Sequence, residues 1–167
     1  MYVTLLRRDY AHACVYRVLL EFVADLKPDS HLLPKDPVKR AKARFFIDVV
    51  SNKFIPGYFG VFLRNETNLD NLLTAIETVQ DLLTPEGFAV GAEPTIADFA
   101  LLPFVARGEI ISSLAPSAAP AFKAFQEPRF AKFWKWYTTL KERPSFKDTF
   151  DEVSSLSMVM SMPSSDE

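Results

Sequence analysis

The chain has 167 residues, with nineteen Lys and Arg against twenty-one Asp and Glu, a net charge of −2. That suits one compact domain and argues against a general polyanion binder. Apolar residues make up 49% and charged residues 24%, a globular balance rather than a disordered one.

One cysteine and two histidines exclude an internal disulfide, a Cys-x-x-Cys redox pair and a multi-His metal site, so no metal is expected. Five glycines against twelve prolines leave little room for a Gly-rich phosphate loop. No stretch reaches the about twenty apolar residues of a membrane span. Met1 to Leu6 is apolar and is followed by Arg7, Arg8 and Asp9, the reverse of a signal peptide's order. No membrane association and a cytoplasmic location are therefore expected.

Residues 1–12 read as an irregular N-terminus. Val15, Val18, Leu19, Phe22, Val23 and Leu26 recur at helical steps and define one face of a first helix. Pro28 ends it, because the residue before a proline is pushed out of helical geometry. Asp36 and Pro37 open the next helix, with the Asp36 carboxylate accepting from free backbone N–H groups. Val38, Ala41, Phe45 and Val49 form one apolar row, and Phe46, Val50, Phe54, Tyr58 and Phe62 form a second. Lys39, Arg40, Lys42, Arg44, Asp48 and Ser51 fill the polar side. Pro56 and Gly57 predict a kink.

A third helix is predicted from Asn68 to Leu83, with Leu69, Leu72, Leu73, Ile76, Val79 and Leu83 inward. Thr84 to Pro94 reads as loop. A fourth helix starts at Thr95 and is expected to end near Gly108. A short helix follows around Ala118 to Phe125, then one opened by Glu127 and Pro128 with Phe130, Phe133, Trp134, Tyr137 and Leu140 on one face. Ser145 is positioned to cap a last turn through Phe150. The tail 152–167 is expected to be disordered. The predicted fold is all-α, a bundle of about six to eight helices over residues 13–151.

Thr95-Ile96-Ala97-Asp98 has the spacing of a capping box. The Thr95 hydroxyl is placed to accept from the Asp98 N–H, and the Asp98 carboxylate to reach back to the Thr95 N–H. Such a box marks a helix start, and alone it says little about function.

Its surroundings say more. Gly91-Ala92-Glu93-Pro94-Thr95-Ile96-Ala97-Asp98-Phe99 closely resembles the Gly-x-x-Pro-Ser/Thr-x-Ala-Asp opening of the central helix in the C-terminal domain of glutathione transferases. Leu32 to Ala41 is similar to that family's linker and first long helix. Phe130 to Trp136, Leu140 and Arg143 to Lys147 are similar to its closing helices. The resemblance covers roughly residues 13–150 and has a fungal or omega-like flavour.

The resemblance implies an all-helical domain that lines the site of an apolar co-substrate. It assigns Phe54, Tyr58, Phe104 and Arg107 to the wall of that pocket, with Thr95 and Asp98 as the structural capping box. For each wall residue, plain core packing or a surface role remains the competing reading. No catalytic residue is assigned. The family's thioredoxin-like domain, which holds glutathione and carries the catalytic side chain, has no counterpart here. Its Glu-Ser pair aligns with Ala11 and His12. The chain is therefore expected to be a truncated or degenerate form with little activity alone. Glutathione enters only as co-substrate of the full-length family. Cys14 reads as a small buried hydrophobe rather than a nucleophile, and His12 has no site role. The basic residues Lys35, Lys39, Arg40, Lys42 and Arg44 read as a solvated helix face rather than a nucleic-acid patch. Trp134, Trp136 and Tyr137 read as core. Expected partners are apolar small molecules and a second copy or a thioredoxin-like domain, with no nucleic acid. A non-catalytic interaction module and a plain apolar-ligand binder remain open alternatives.

Overall fold

The computed structural model describes residues 18–151. The expectations for Ala11, His12, Cys14, Val15, the segment 1–12 and the tail 152–167 fall outside them. Among the described residues the chain is all-α, as the spacing predicts. Its only β feature is an isolated bridge between Phe88 and Gly91.

The described part of helix α1 spans 18–26. Its apolar row faces outward: Val18, Leu19, Phe22, Val23 and Leu26 are 52–65% exposed. The bundle is met instead by buried Ala24 and half-buried Leu20. Periodicity defines a face but not what the face packs against. Glu21 of α1 is held by a forked pair from Arg44 of α2, at 2.8 and 2.9 Å. The chain then makes a 3-10 turn, Pro28–Ser30, closed by His31 in the left-handed region at φ 56°.

Helix α2, Pro37–Val49, starts as predicted, with the Asp36 carboxylate accepting from the Lys39 N–H at 2.8 Å. Its second apolar row is wholly buried through Phe62, whereas Val38, Ala41 and Phe45 of the first row are exposed and only Val49 is buried. The expected kink takes the form of a π-helical turn over Val50–Phe54, in which the Ile55 N–H reaches back to the Val50 carbonyl. Widening to a five-residue step just before Pro56 lets α3, Ile55–Leu63, continue the rod despite the missing proline N–H. Helix α4, Asp70–Leu82, crosses α3 closely. A Cβ on Gly57 would stand 3.0 Å from the Leu72 Cα.

Helix α5, Ile96–Leu114, runs six residues past the predicted end at Gly108. That glycine serves a close approach instead of a C-cap: a Cβ would meet Phe62 Cζ at 3.2 Å and Tyr58 Cε2 at 3.3 Å. The short α6, Ala119–Ala124, and a 3-10 turn at Pro128–Phe130 lead into α7, Ala131–Lys141. Trp136 joins Phe133, Tyr137 and Leu140 on its buried face, and Trp134 is half-buried. Helix α8, Pro144–Thr149, begins without a side-chain cap, and Ser145 lies inside it rather than before it. Proline supplies the first-turn geometry there. Helix α5 sits centrally, against α2, α3, α6 and α7. No helix among the described residues is long and apolar enough to cross a membrane.

Candidate functional site

The site is built on the start of α5. The capping box closes in both directions. The Thr95 hydroxyl oxygen accepts from the Ala97 N–H at 3.3 Å, and Asp98 Oδ2 accepts from the Thr95 N–H at 2.8 Å. Asp98 goes further than a cap. Its Oδ1 also accepts from the Ala89 N–H and from Trp136 Nε1, both at 2.9 Å. One fully buried carboxylate thus ties the 84–95 loop, α5 and α7 together. Burial pushes its pKa above the usual aspartate value, and the hydrogen bonds from Thr95, Ala89 and Trp136 only partly offset that. The linker is joined to the same point, because the Ile96 N–H donates to the Leu32 carbonyl at 2.9 Å.

With its start anchored, α5 presents Phe99, Leu102, Pro103 and Arg107 to a groove of about 890 Å³. These residues recur at three- and four-residue steps, the repeat that stacks side chains on one helix face. Leu20 and Val23 of α1, His31 and Leu32 of the linker, and Glu93 and Pro94 of the loop form further walls. Helix α8 and its approach add Arg143, Phe146 and Phe150. The last two rings stack at 4.7 Å. A largely apolar groove of this size, with a few charged groups, has the character of a small-molecule site.

Of the four residues expected to wall a pocket, Arg107 lines this groove. Phe54 and Tyr58 are buried in the core. They form an aromatic tier in which Tyr58 lies 5.9 Å from Phe54, 4.7 Å from Phe62 and 5.6 Å from half-buried Phe104. Tyr58 couples this tier to Arg107. Burial drives its phenol pKa strongly upward, and the nearby Arg107 charge pulls it back only slightly. Tyr58 is therefore a protonated phenol at neutral pH and not a ready base.

Arg107 Nε is buried with no hydrogen-bond partner. Arg44 of the basic cluster is committed to Glu21, and Arg40 Nε donates to the Pro34 carbonyl at 3.0 Å. Among the described residues no cluster of His, Cys, Asp and Glu is placed to hold a metal. None of those residues is a cysteine, so they offer no sulfur nucleophile. The arrangement can enclose an apolar molecule and present cations to it. Sequence reasoning missed His31, Glu93, Arg143, Phe146 and Phe150 as groove residues. The Arg143-Pro144 break was the one local signal, and it announced a turn rather than a wall.

The family described as glutathione S-transferase, C-terminal domain, matches residues 48–144. The Caenorhabditis briggsae protein named Probable glutathione transferase omega-2 is 28% identical over 130 residues, 74% of this chain and 51% of that protein. The chain thus spans about half the length of the curated relatives it matches. The crystal structure of glutathione transferase Omega 1C from Trametes versicolor superposes with a TM-score of 0.78 at 40% identity, covering 89% of this chain and 66% of that one. Omega 2S from the same fungus, in complex with 2,4-dihydroxybenzophenone, gives 0.75 at 34% identity, covering 87% and 66%.

Proposed function

The chain belongs to the glutathione S-transferase family through its C-terminal domain, and from that premise we propose that it forms the apolar electrophile side of an omega-like glutathione transferase. The helical domain is assigned to residues 13–151 and the protein to the cytoplasm. In the reaction, a glutathione thiolate attacks an electrophilic carbon; an S–C bond forms and the leaving group departs with its electron pair. The groove on α5 receives the electrophile. A thioredoxin-like domain, on this chain or another, supplies glutathione. Arg107 contacts the bound molecule directly, while Phe54, Tyr58 and Phe104 hold that wall from behind.

The observation that carries this reading is the apolar groove anchored by the Thr95–Asp98 box on the central helix. On this reading the 167 residues alone turn over little. The test is conjugation of glutathione to 1-chloro-2,4-dinitrobenzene, by the chain alone and by a fusion to the thioredoxin-like domain of the Trametes versicolor Omega 1C enzyme. Activity of the fusion alone is expected. A folded, glutathione-binding fusion without turnover refutes the proposal, as does robust turnover by the isolated chain.

The exposed apolar row of α1 favours a second reading, an interaction module. Exposed apolar surface of this kind marks a partner site. Its occupant would be a thioredoxin-like domain, and Val38 and Phe45 on α2 offer a separate face for a second copy. Sedimentation of the chain and of F45E tests the latter: the wild type is expected to dimerise and the variant to run as a monomer. A monomeric wild type refutes it.

A further inference from the structure

We propose that the C-terminal tail, residues 152–167, lies back on the exposed apolar row of α1 and covers the face on which a second domain would dock. The cover needs neither an electrophile nor that second domain, so it stands apart from the chemistry of the groove.

Val18, Leu19, Phe22, Val23 and Leu26 are each more than half exposed. They follow three- and four-residue steps, so they form one stripe about 12 Å long. Single exposed apolar residues are ordinary, whereas a contiguous stripe marks a contact site. Glu21 on the same helix is already committed to Arg44. The stripe itself carries no charge, so it suits an apolar, uncharged occupant.

The chain holds such a segment, and it leaves the bundle facing α1. Thr149 and Phe150, at the end of α8, line the same groove as Leu20 and Val23 of α1. Beyond Asp151, six of the ten residues 153–162 are apolar: Val153, Leu156, Met158, Val159, Met160 and Met162. No charged residue occurs from Val153 to Ser165. Three of the chain's four methionines fall in this run, and the unbranched thioether side chain adapts to irregular apolar surface. An extended chain advances about 3.3 Å per residue, so residues 152–162 span up to about 35 Å, ample for following the whole row. Tethering also favours the tail over a second copy, because a segment on a short linker meets its site at an effective concentration on the order of millimolar. Ordering the tail costs conformational entropy that offsets most of the apolar gain. The contact is therefore a displaceable cover, open to competition from a thioredoxin-like domain.

Oxidation of Met158, Met160 and Met162 by dilute hydrogen peroxide, followed by mass spectrometry, tests this in the full 167-residue chain, because a covered thioether forms sulfoxide more slowly. The free peptide 152–167 is the reference. The wild-type chain is expected to oxidise about threefold more slowly than the peptide, and F22E and L26E within about 1.5-fold of it. In a second arm residues 152–167 are removed. Nile red competes with the tail for the row, so its emission should rise about twofold or more, and F22E should abolish that rise. If the shortened chain fails to fold by circular dichroism, the full-chain oxidation rates decide. Wild-type rates equal to the peptide's, or protection unchanged in both variants, overturn the proposal. Protection found only where the chain sediments as a dimer gives the row to a second copy and overturns it too. So does a rise in emission on removing residues 1–12 but not on removing 152–167, which gives the row to the N-terminal segment.

Discussion

Replacing Asp98 with asparagine, D98N, tests the view that one buried carboxylate organises this end of the bundle. The wild-type side chain accepts from Ala89 N–H, Thr95 N–H, the Thr95 hydroxyl and Trp136 Nε1 in a fully buried setting. Asparagine is nearly isosteric, and its oxygen can keep the pair from Ala89 and Trp136. Its NH2 group then faces the Thr95 N–H, donor against donor. The Thr95 hydroxyl can turn and accept, so one buried backbone donor is orphaned and three bonds lose their charge. An unsatisfied buried donor costs about 1–3 kcal/mol, and bonds to a charged acceptor exceed neutral ones by roughly a factor of two. The expected loss for D98N is about 2–3 kcal/mol. D98A removes the acceptor of all four donors, and relief of the buried charge offsets part of that, so about 3–5 kcal/mol is expected. Urea unfolding monitored by tryptophan fluorescence reads both, since Trp136 touches residue 98 directly. Losses below about 1 kcal/mol for both variants, or equal losses, would refute the reasoning.

The pH dependence follows from the direction of the Asp98 shift. Its folded-state pKa lies above the usual 3.8, so the proton on Asp98 contributes stability that is full below 3.8 and is lost as pH rises through the folded value and the buried group ionises. The stability advantage of wild type over D98N should therefore shrink from acid toward neutral pH; a difference that grows over that range contradicts the shift. G57A should cost about 1–3 kcal/mol in urea unfolding, because the new methyl meets the Leu72 backbone at 3.0 Å. G108A should stay within about 1 kcal/mol of wild type, since it meets ring edges that can shift and gains helix propensity. F22E and L26E change residues 56% and 64% exposed and should leave stability within about 0.5 kcal/mol. Their Nile red emission should fall if the α1 row is a contiguous sticky face.

Much of the fold is legible in the sequence because its signals are local. Asp36-Pro37, Pro144 and the Thr95–Asp98 spacing each set a helix start through bonds or torsions within about one turn. The α4 row and the Phe46-to-Phe62 row point inward as their periodicity predicts. The errors share a cause. Gly108 looks like a helix terminator only until Tyr58 and Phe62, far away in sequence, are seen against it. Ser145 looks like a cap, but the position it occupies depends on where Pro144 starts the turn. The apolar rows of α1 and the first half of α2 are real, yet they face outward among the described residues.

The groove divides along the same line. The sequence by itself determined that α5 begins at a double-ended cap, that the chain is all-helical, and that Arg107 projects from the central helix. Those facts depend on residues within a few positions of one another. Only the tertiary structure decided that Asp98 also holds Ala89 and Trp136, and that Arg107 shares a groove with His31, Arg143, Phe146 and Phe150. Those partners come from four separate segments, and their meeting depends on how helices pack, which no short-range pattern encodes.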